Sequence, residues 1–316
     1  MKKTLIVGLL AMSVSSSVFA EGSLVTVPDA GVVVRKVVNK VESFFRADDG
    51  KKLDLNSVVN WDKGLDADIV VVGLGAKGNA NIALARRAAI VDGYRNLAET
   101  IGGVQVDSDT LVRDMMVGND TIRTNVSALV KGARIVEEGQ LSDGNYYVKM
   151  SLPLLGEKAS VAAAILPETM KNVSYEPLEK VTAQSTVLSK ETFREVKDVK
   201  YTGIVVDCRG LGLDCTFAPQ ILDTNGRGIY GIENINKDFA VSKGMVEYCK
   251  DMDYATSGKS RVGSNPLVVK ANAVKGGANS KNPVNAVLTV EDADKVLLAM
   301  NNNKGMIQRS AVIFVR

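Results

Sequence analysis

Alternating apolar and polar residues between positions 66 and 156 predict a small α+β domain. The longest pattern, over residues 79–101, has apolar side chains at helical spacing and ends at two glycines, which predicts a long amphipathic helix. Residues 142–145 (Ser-Asp-Gly-Asn) separate two strand-like runs and predict a hairpin. This order is typical of an antiparallel sheet with helices on one face. The predicted strands are 68–74, 104–112, 133–141 and 146–152, and the predicted helices are 79–101 and 121–131.

Residues 199–316 predict a second, mixed α/β domain. Residues 157–198 between the two domains are mostly polar, with a short helix over 158–166 that we expect to end before Pro167. We interpret this segment as an exposed linker. In the second domain the predicted strands are 201–207, 216–222, 267–274, 285–290 and 310–315, the predicted helix is 291–300, and 239–254 is partly helical.

The N-terminal residues predict export from the cytoplasm. Residues 1–20 combine Lys2 and Lys3 with an apolar stretch and a Val-Phe-Ala cleavage site, as in a secretory signal peptide. The apolar stretch is too short to span a bilayer. Glu21 follows the cleavage site, so we expect a mature periplasmic chain without a lipidated cysteine. Residues 21–65 form an N-terminal arm in which 32–45 predict a helix, packed either on a partner or on the first domain.

Composition and charge exclude several classes of function. The 316 residues contain no histidine, which excludes Ser-His-Asp and Cys-His catalysis and His-ligated zinc. Lys and Arg number 39 against 36 Asp and Glu, and removal of Lys2 and Lys3 leaves 37 against 36, a formal charge of +1. That balance predicts no nucleic-acid partner. No segment of the mature chain is long and apolar enough to be transmembrane. We expect no enzymatic activity, no cofactor and no metal.

The three cysteines can pair in the oxidising periplasm. Cys208 and Cys215 enclose a short glycine-rich loop and are the favoured disulfide pair. Cys249 is then free, or it replaces one of the other two, because spacing alone does not fix connectivity.

Gly73, Gly75 and Gly78 form a G-x-G-x-x-G string between a predicted strand and a predicted helix. In dinucleotide-binding folds this string lets a pyrophosphate approach the N-terminus of the helix. Dinucleotide-binding folds also need an acidic residue about twenty residues further on, at the end of a second strand. Glu99 has that spacing, but it lies within the predicted helix. The next predicted strand also alternates, whereas inner parallel strands are continuously apolar. We therefore interpret the glycines as a strand-to-helix turn, with a nucleotide site as the alternative.

Asp207, Arg209, Asp214 and Asp223 surround the loop between the first two cysteines. Carboxylates beside an arginine form a candidate ligand or interaction site, with solvated loop charges as the alternative. The acidic residues within 291–294 lack the glycine-centred loop of a calcium site and fit the first turn of a helix better.

Two stretches resemble a known family. They are residues 85–110 (ARRAAIVDGYRNLAETIGGVQVDSDT) and 124–154 (TNVSALVKGARIVEEGQLSDGNYYVKMSLPL). They are similar to the twenty-kilodalton envelope lipoprotein family and its flagellar relatives, the basal-disk lipoprotein FlgP and the N-terminal module of the ring protein FlgT. The resemblance implies a small α/β sandwich that assembles and has no active site. Family members are commonly lipidated at a cysteine, and Glu21 departs from that pattern.

Together these observations predict a non-enzymatic periplasmic structural protein that assembles near the outer membrane. The resemblance implies a flagellar motor disk or ring component needed for motility. The expected partners are envelope or basal-body proteins, in a homo- or hetero-oligomer. The alternative hypothesis is a periplasmic module that binds a small ligand or envelope polymer at Asp207, Arg209 and Asp223.

Overall fold

The computed structural model describes residues 53–54, 56–77, 81–277, 279 and 281–316. The predicted signal peptide (1–20), the predicted arm helix (32–45) and Gly78 lie outside the described residues. The described chain mixes helices with several β-sheets, which confirms the predicted α+β class.

The first sheet is antiparallel and is covered on one face by a long helix, α1 (Ile82–Gly102). The helix begins where the Asn81 side chain accepts a hydrogen bond from the Leu84 N–H, 3.0 Å away. Met150 and Val148 of the sheet lie directly beneath Gly93 of α1. The strand order is β1-β2-β4-β3, with β1 Val58–Asn60, β2 Asp68–Gly75, β3 Arg134–Gln140 and β4 Tyr146–Pro153.

Residues 104–111 form a tight loop where a strand was predicted over 104–112. Val104 and Val106 are buried, and the Asp107 carboxylate accepts hydrogen bonds from the N–H groups of Asp109 (2.8 Å) and Thr110 (2.9 Å). The alternating pattern therefore arose from a self-closing Asx turn beside two buried valines, so the strand prediction was wrong. Two helices follow, α2 (Val112–Gly118) and α3 (Asp120–Lys131).

The segment predicted as an exposed linker, 157–198, is part of the folded core. It contains α4 (Val161–Thr169) and α5 (Lys190–Asp198), and Pro167 lies inside α4 instead of ending it. Most polar residues of the segment face solvent, while nine of its apolar residues are buried. The buried ones are Val161, Ala162, Ala164, Ile165, Leu166, Met170, Val181, Leu188 and Val196.

The second half contains two further sheets. One is parallel, in the order β8-β12-β5-β9, and the other is mixed, in the order β10-β11-β6-β7. Their strands are β5 Gly203–Asp207, β6 Ile221–Asp223, β7 Gly228–Tyr230, β8 Glu247–Cys249, β9 Pro266–Lys270, β10 Ala273–Lys275, β11 Asn285–Leu288 and β12 Val312–Val315. The helices are α6 Lys237–Lys243, α7 Met252–Thr256, α8 Val290–Asn302 and α9 Gly305–Gln308.

Three predicted elements of this half have different boundaries in the structure. The strand predicted over 267–274 is divided into β9 and β10, which belong to different sheets. Only the end of the predicted strand 216–222 is extended, as β6. The partly helical region 239–254 contains the strand β8 between α6 and α7.

One hydrophobic core continues through both halves of the described chain. The N–H of Ala218 donates to the carbonyl of Val106 at 2.8 Å, and Trp61 packs edge-on against Phe217 with ring centroids 4.9 Å apart. Helix α4 packs against α3 and α6, and α5 packs against α8. The segment 157–198 thus joins the halves by packing and not only by covalent connection.

Candidate functional site

The predicted loop site is not assembled as one cluster. Asp207 and Arg209 form a bidentate ion pair, in which the Nε–Oδ1 and Nη2–Oδ2 distances are both 2.8 Å. This hydrogen bonding lowers the pKa of Asp207 below its ordinary value, against the effect of partial burial. Arg209 is exposed, and Asp214 is an exposed residue of the same loop. The geometry is that of a solvated surface ion pair.

Asp223 lies in the other sheet of this half and belongs to a different, buried cluster. Its carboxylate accepts hydrogen bonds from the Arg227 Nε (2.9 Å) and from the backbone N–H of Asn225 (2.8 Å). The Arg227 Nη2 also donates to Asp294 at 2.6 Å, and Nη1 lies 3.3 Å from Glu179. This arginine bridges the β6–β7 turn, helix α8 and the segment 157–198, so its role is structural.

Neither Arg227 nor the burial of Asp294 was predicted from the sequence. The available signal was an acidic residue on the apolar face of α8, one turn before Leu297 and Leu298. By contrast, Glu291 and Asp292 lie in the first turn and pair with Lys295, each at 3.0 Å. Among the residues that the structure describes, no group of three or more metal-ligating side chains could hold a metal ion.

The predicted disulfide between Cys208 and Cys215 is absent: these two residues and Cys249 are free thiols in the structure. Cys208 and Cys249 are buried. Burial raises the pKa of Cys208 and of Cys215 to about 12 and that of Cys249 to about 11. All three are therefore protonated near neutral pH, in which state a thiol is a poor nucleophile and a poor metal ligand.

Gly73 and Gly75 serve the close packing of strand β2 against helix α1. A Cβ atom on Gly75 would overlap the Ala85 carbonyl oxygen and lie 2.7 Å from the Ala89 nitrogen. A Cβ on Gly73 would lie 2.6 Å from the Cα of Gly93. Both glycines lie within strand β2, where the missing side chains let the helix backbone approach closely, which supports the packing interpretation over a nucleotide site.

The edge strand β3 of the first domain is exposed along much of its length. It pairs with β4 on one side, and it is the longest edge strand in the described part of the chain. Ile135 and Val136 are exposed, Val136 by 55%. Short edges, charges and bulges commonly protect sheet edges from pairing; β3 has charges and one bulge near Val136 but keeps its length.

Helix α1 adds exposed apolar side chains to the same domain. Leu84 and Val91, two turns apart on one side of the helix, are 51% and 68% exposed. Arg86 on the same helix reaches Glu138 of β3 through two hydrogen bonds of 2.7 Å and 3.1 Å. Leu84 and Val91 lie on the solvent side of α1, away from Arg86, and are scattered exposed residues. We name the edge strand β3 alone the module surface.

Two protein families match the chain. Residues 72–152 match the LPP20 lipoprotein family, and residues 203–316 match the second domain of Treponema pallidum Tp0624. No curated protein sequence matches the chain. In the described residues, every helix is too short or too polar to cross a membrane. The first match confirms the predicted resemblance to the envelope lipoproteins and indicates an envelope-associated protein. The chain thus contains an LPP20 lipoprotein family domain followed by a domain similar to the second domain of Tp0624.

Proposed function

We propose that this chain is a non-enzymatic structural protein of the periplasm that assembles with copies of itself through the module surface. The observation that carries the proposal is the edge strand β3, whose outer backbone edge pairs with no other described strand and which exposes Ile135 and Val136. An antiparallel pairing of two β3 strands, with the Val136 bulges of the two copies side by side, would place Arg134 of each copy opposite Glu138 of the other, which Arg86 of its own chain also contacts. Opposite charges in cross-strand pairs favour that register.

The absence of enzymatic activity is part of this proposal. It is supported by a sequence without histidine and by three cysteines whose raised pKa values keep them protonated. It is supported further by the ion pairing of Asp207 and Asp223, the carboxylates that the sequence offered as candidates.

Assembly is tested by sedimentation velocity of the mature chain (residues 21–316) over a range of concentrations. We expect self-association that weakens when Val136→Lys places a charge in the centre of the edge. Val117→Lys is the matched control, because Val117 is 85% exposed on α2, outside the module surface. A wild-type chain that stays monomeric at high concentration would contradict the proposal, as would equal association of the two variants.

A more specific proposal is that the protein is a component of a flagellar motor disk or ring. It depends on the resemblance of residues 85–110 and 124–154 to flagellar relatives, since neither matched family description mentions a flagellum. In a flagellated source organism, an in-frame deletion should leave filaments that turn weakly or not at all, as seen by swimming assays and electron microscopy. Normal swimming would refute the flagellar role and leave the envelope assembly role in place.

A further inference from the structure

A large cavity lies in the second half of the described chain, far along the chain from the module surface. It is an open groove with a volume of about 1170 Å³. One wall is the extended segment 170–183, and the others are α5, residues 232–237, and the ends of α8 and α9. We name this cavity the strap groove, and its extended wall the strap. The groove therefore includes much of the segment that the sequence predicted to be a linker.

The strap is held in place by specific hydrogen bonds. The N–H of Glu176 donates to the carbonyl of Glu233, and the Asn234 side chain donates back to the carbonyl of Glu176, both at 2.9 Å. The Asn301 amide of α8 donates to the carbonyl of Glu179 at 2.7 Å. Three hydrogen bonds, two with residues 233–234 and one with α8, therefore hold the backbone of the strap in place as one wall of the groove.

The residues just after the strap are held by the buried ion cluster. The Asp294 carboxylate accepts hydrogen bonds from the Thr186 hydroxyl (2.6 Å) and the Val187 N–H (3.0 Å), while it also binds Arg227. This buried carboxylate thus ties the residues after the strap to α8. Arg227 also reaches Glu179 within the strap, 3.3 Å away, so the ion cluster helps to hold this wall of the groove in place.

The inner surface of the groove is mainly apolar. Val173, Leu178, Phe193 and Ile232 line it while remaining partly exposed, and Tyr175 stands exposed at its rim. Partly exposed apolar side chains in a concavity are typical of sites that remove a hydrocarbon surface from water.

The rim of the groove is cationic. Of the described residues that line it, four are lysines and one, Glu233, is a carboxylate. All four lysines are exposed, and none forms an ion pair with another described residue. They come from four separate segments: Lys180, Lys197, Lys237 and Lys304. Four ammonium groups around an apolar interior favour a ligand that carries an anionic head on a hydrocarbon body.

We propose that the strap groove binds an anionic single-chain or double-chain lipid, with the hydrocarbon on the apolar wall and the phosphate or carboxylate head among the four lysines. A neutral hydrocarbon would leave the lysines unused, and a free phosphate would leave the apolar wall unused. The proposal is independent of the assembly function, because the groove contains no residue of β3 or α1.

The test uses isothermal titration calorimetry of the mature chain with monomeric dodecyl phosphate below its micellar concentration. Dodecyl maltoside is the neutral probe of equal chain length, and inorganic phosphate is the probe without a chain. We expect one dodecyl phosphate per chain, binding of the maltoside at least about tenfold weaker, and no binding of phosphate alone. Circular dichroism at the same concentrations shows whether the fold is retained.

A charge variant separates the groove from nonspecific attraction. The four groove lysines changed together to glutamine should weaken dodecyl phosphate binding by at least about tenfold, since each exposed charge contributes a few-fold. The matched control changes four exposed lysines outside the groove to glutamine: Lys131, Lys158, Lys243 and Lys259. Phe193→Ser should weaken both dodecyl probes, because it removes part of the apolar wall.

Several results would overturn the proposal. They are equal binding by the groove variant and its control, equal binding of phosphate with and without a chain, or binding of an acidic peptide where dodecyl phosphate does not bind. The Val136→Lys variant keeps the two proposals apart. If it is monomeric and still binds dodecyl phosphate as wild type does, the groove stands whatever the result for assembly.

Discussion

A methyl group added at Gly75 tests whether the G-x-G-x-x-G glycines exist for packing. The new Cβ would overlap the Ala85 carbonyl and lie 2.7 Å from the Ala89 nitrogen, whereas ordinary contacts begin at 3.4 Å. Helix α1 would have to move away from β2 by about 0.7 Å at Ala89 and by more at Ala85. Because both obstructing atoms belong to helix backbone, no side chain can rotate to relieve the overlap.

The expected loss of stability follows from that geometry. Overpacking a core costs about 1–3 kcal/mol, and backbone obstruction places Gly75→Ala near the upper end of that range. The reduced entropy of the unfolded chain returns about 0.4–1 kcal/mol, which leaves a net destabilisation of about 2 kcal/mol. In a chain of this size the melting temperature should fall by about 4 °C or more.

The assay is unfolding in urea, monitored by circular dichroism and by the fluorescence of Trp61. This residue packs against Phe217 and Tyr248 and therefore reports on the core. Gly118→Ala is the control, because a Cβ there meets no atom within 4 Å and the substitution should be neutral or slightly stabilising. NAD should leave the melting temperatures of the wild type and of Gly75→Ala unchanged. If Gly75→Ala were as stable as Gly118→Ala, or if NAD stabilised the wild type and not Gly75→Ala, the packing argument would fail.

Three other predictions concern the buried polar groups. Hydrogen bonds from Thr186 and Arg227 outweigh burial and lower the pKa of Asp294, so its contribution is present above about pH 4 and is lost as the pH falls through the folded-state pKa. Asp294→Asn should therefore cost about 2 kcal/mol at pH 7 in urea unfolding and progressively less below pH 4; a constant difference would contradict this. Arg261→Met should cost about 3–5 kcal/mol, because it leaves Glu247 buried without the partner now 3.1 Å away, and Glu247→Gln in the same chain should recover part of the loss in thermal melts. All three thiols should react slowly with Ellman's reagent in the native protein and fully in guanidinium, whereas a detected disulfide would refute the free-thiol assignment.

The strand β2, the helix α1 and the β3–β4 hairpin could be predicted because their patterns are local. The Asn81 cap, the apolar spacing of α1 and the Ser-Asp-Gly-Asn turn each act within a few residues. The loop at 104–111 could not be predicted in this way. Its alternation satisfies the rule for a strand, and only the Asx turn at Asp107 and the packing of Val106 distinguish it.

In the candidate site, too, the local contacts could be predicted from the sequence and the long-range contacts could not. Asp207 and Arg209 are neighbours in sequence, and they do form an ion pair. Asp223 was grouped with them because it is near in sequence, yet its partner Arg227 bridges to Asp294, which lies 67 residues further along the chain. The strap groove collects its four lysines from four segments, so no local pattern could reveal it.

The α+β class, the resemblance of residues 85–110 and 124–154 to an envelope lipoprotein module, and the chemical limits that follow from having no histidine could all be predicted from the sequence. Those properties depend on local spacing and on composition. The folded structure was needed to show that residues 157–198 contribute to the core, that the cysteines are free thiols, and that the glycines of β2 face a helix backbone. The reason is that burial and long-range pairing depend on which distant segments meet, and a polar segment with apolar residues at irregular spacing acquires its inner and outer faces only when it packs.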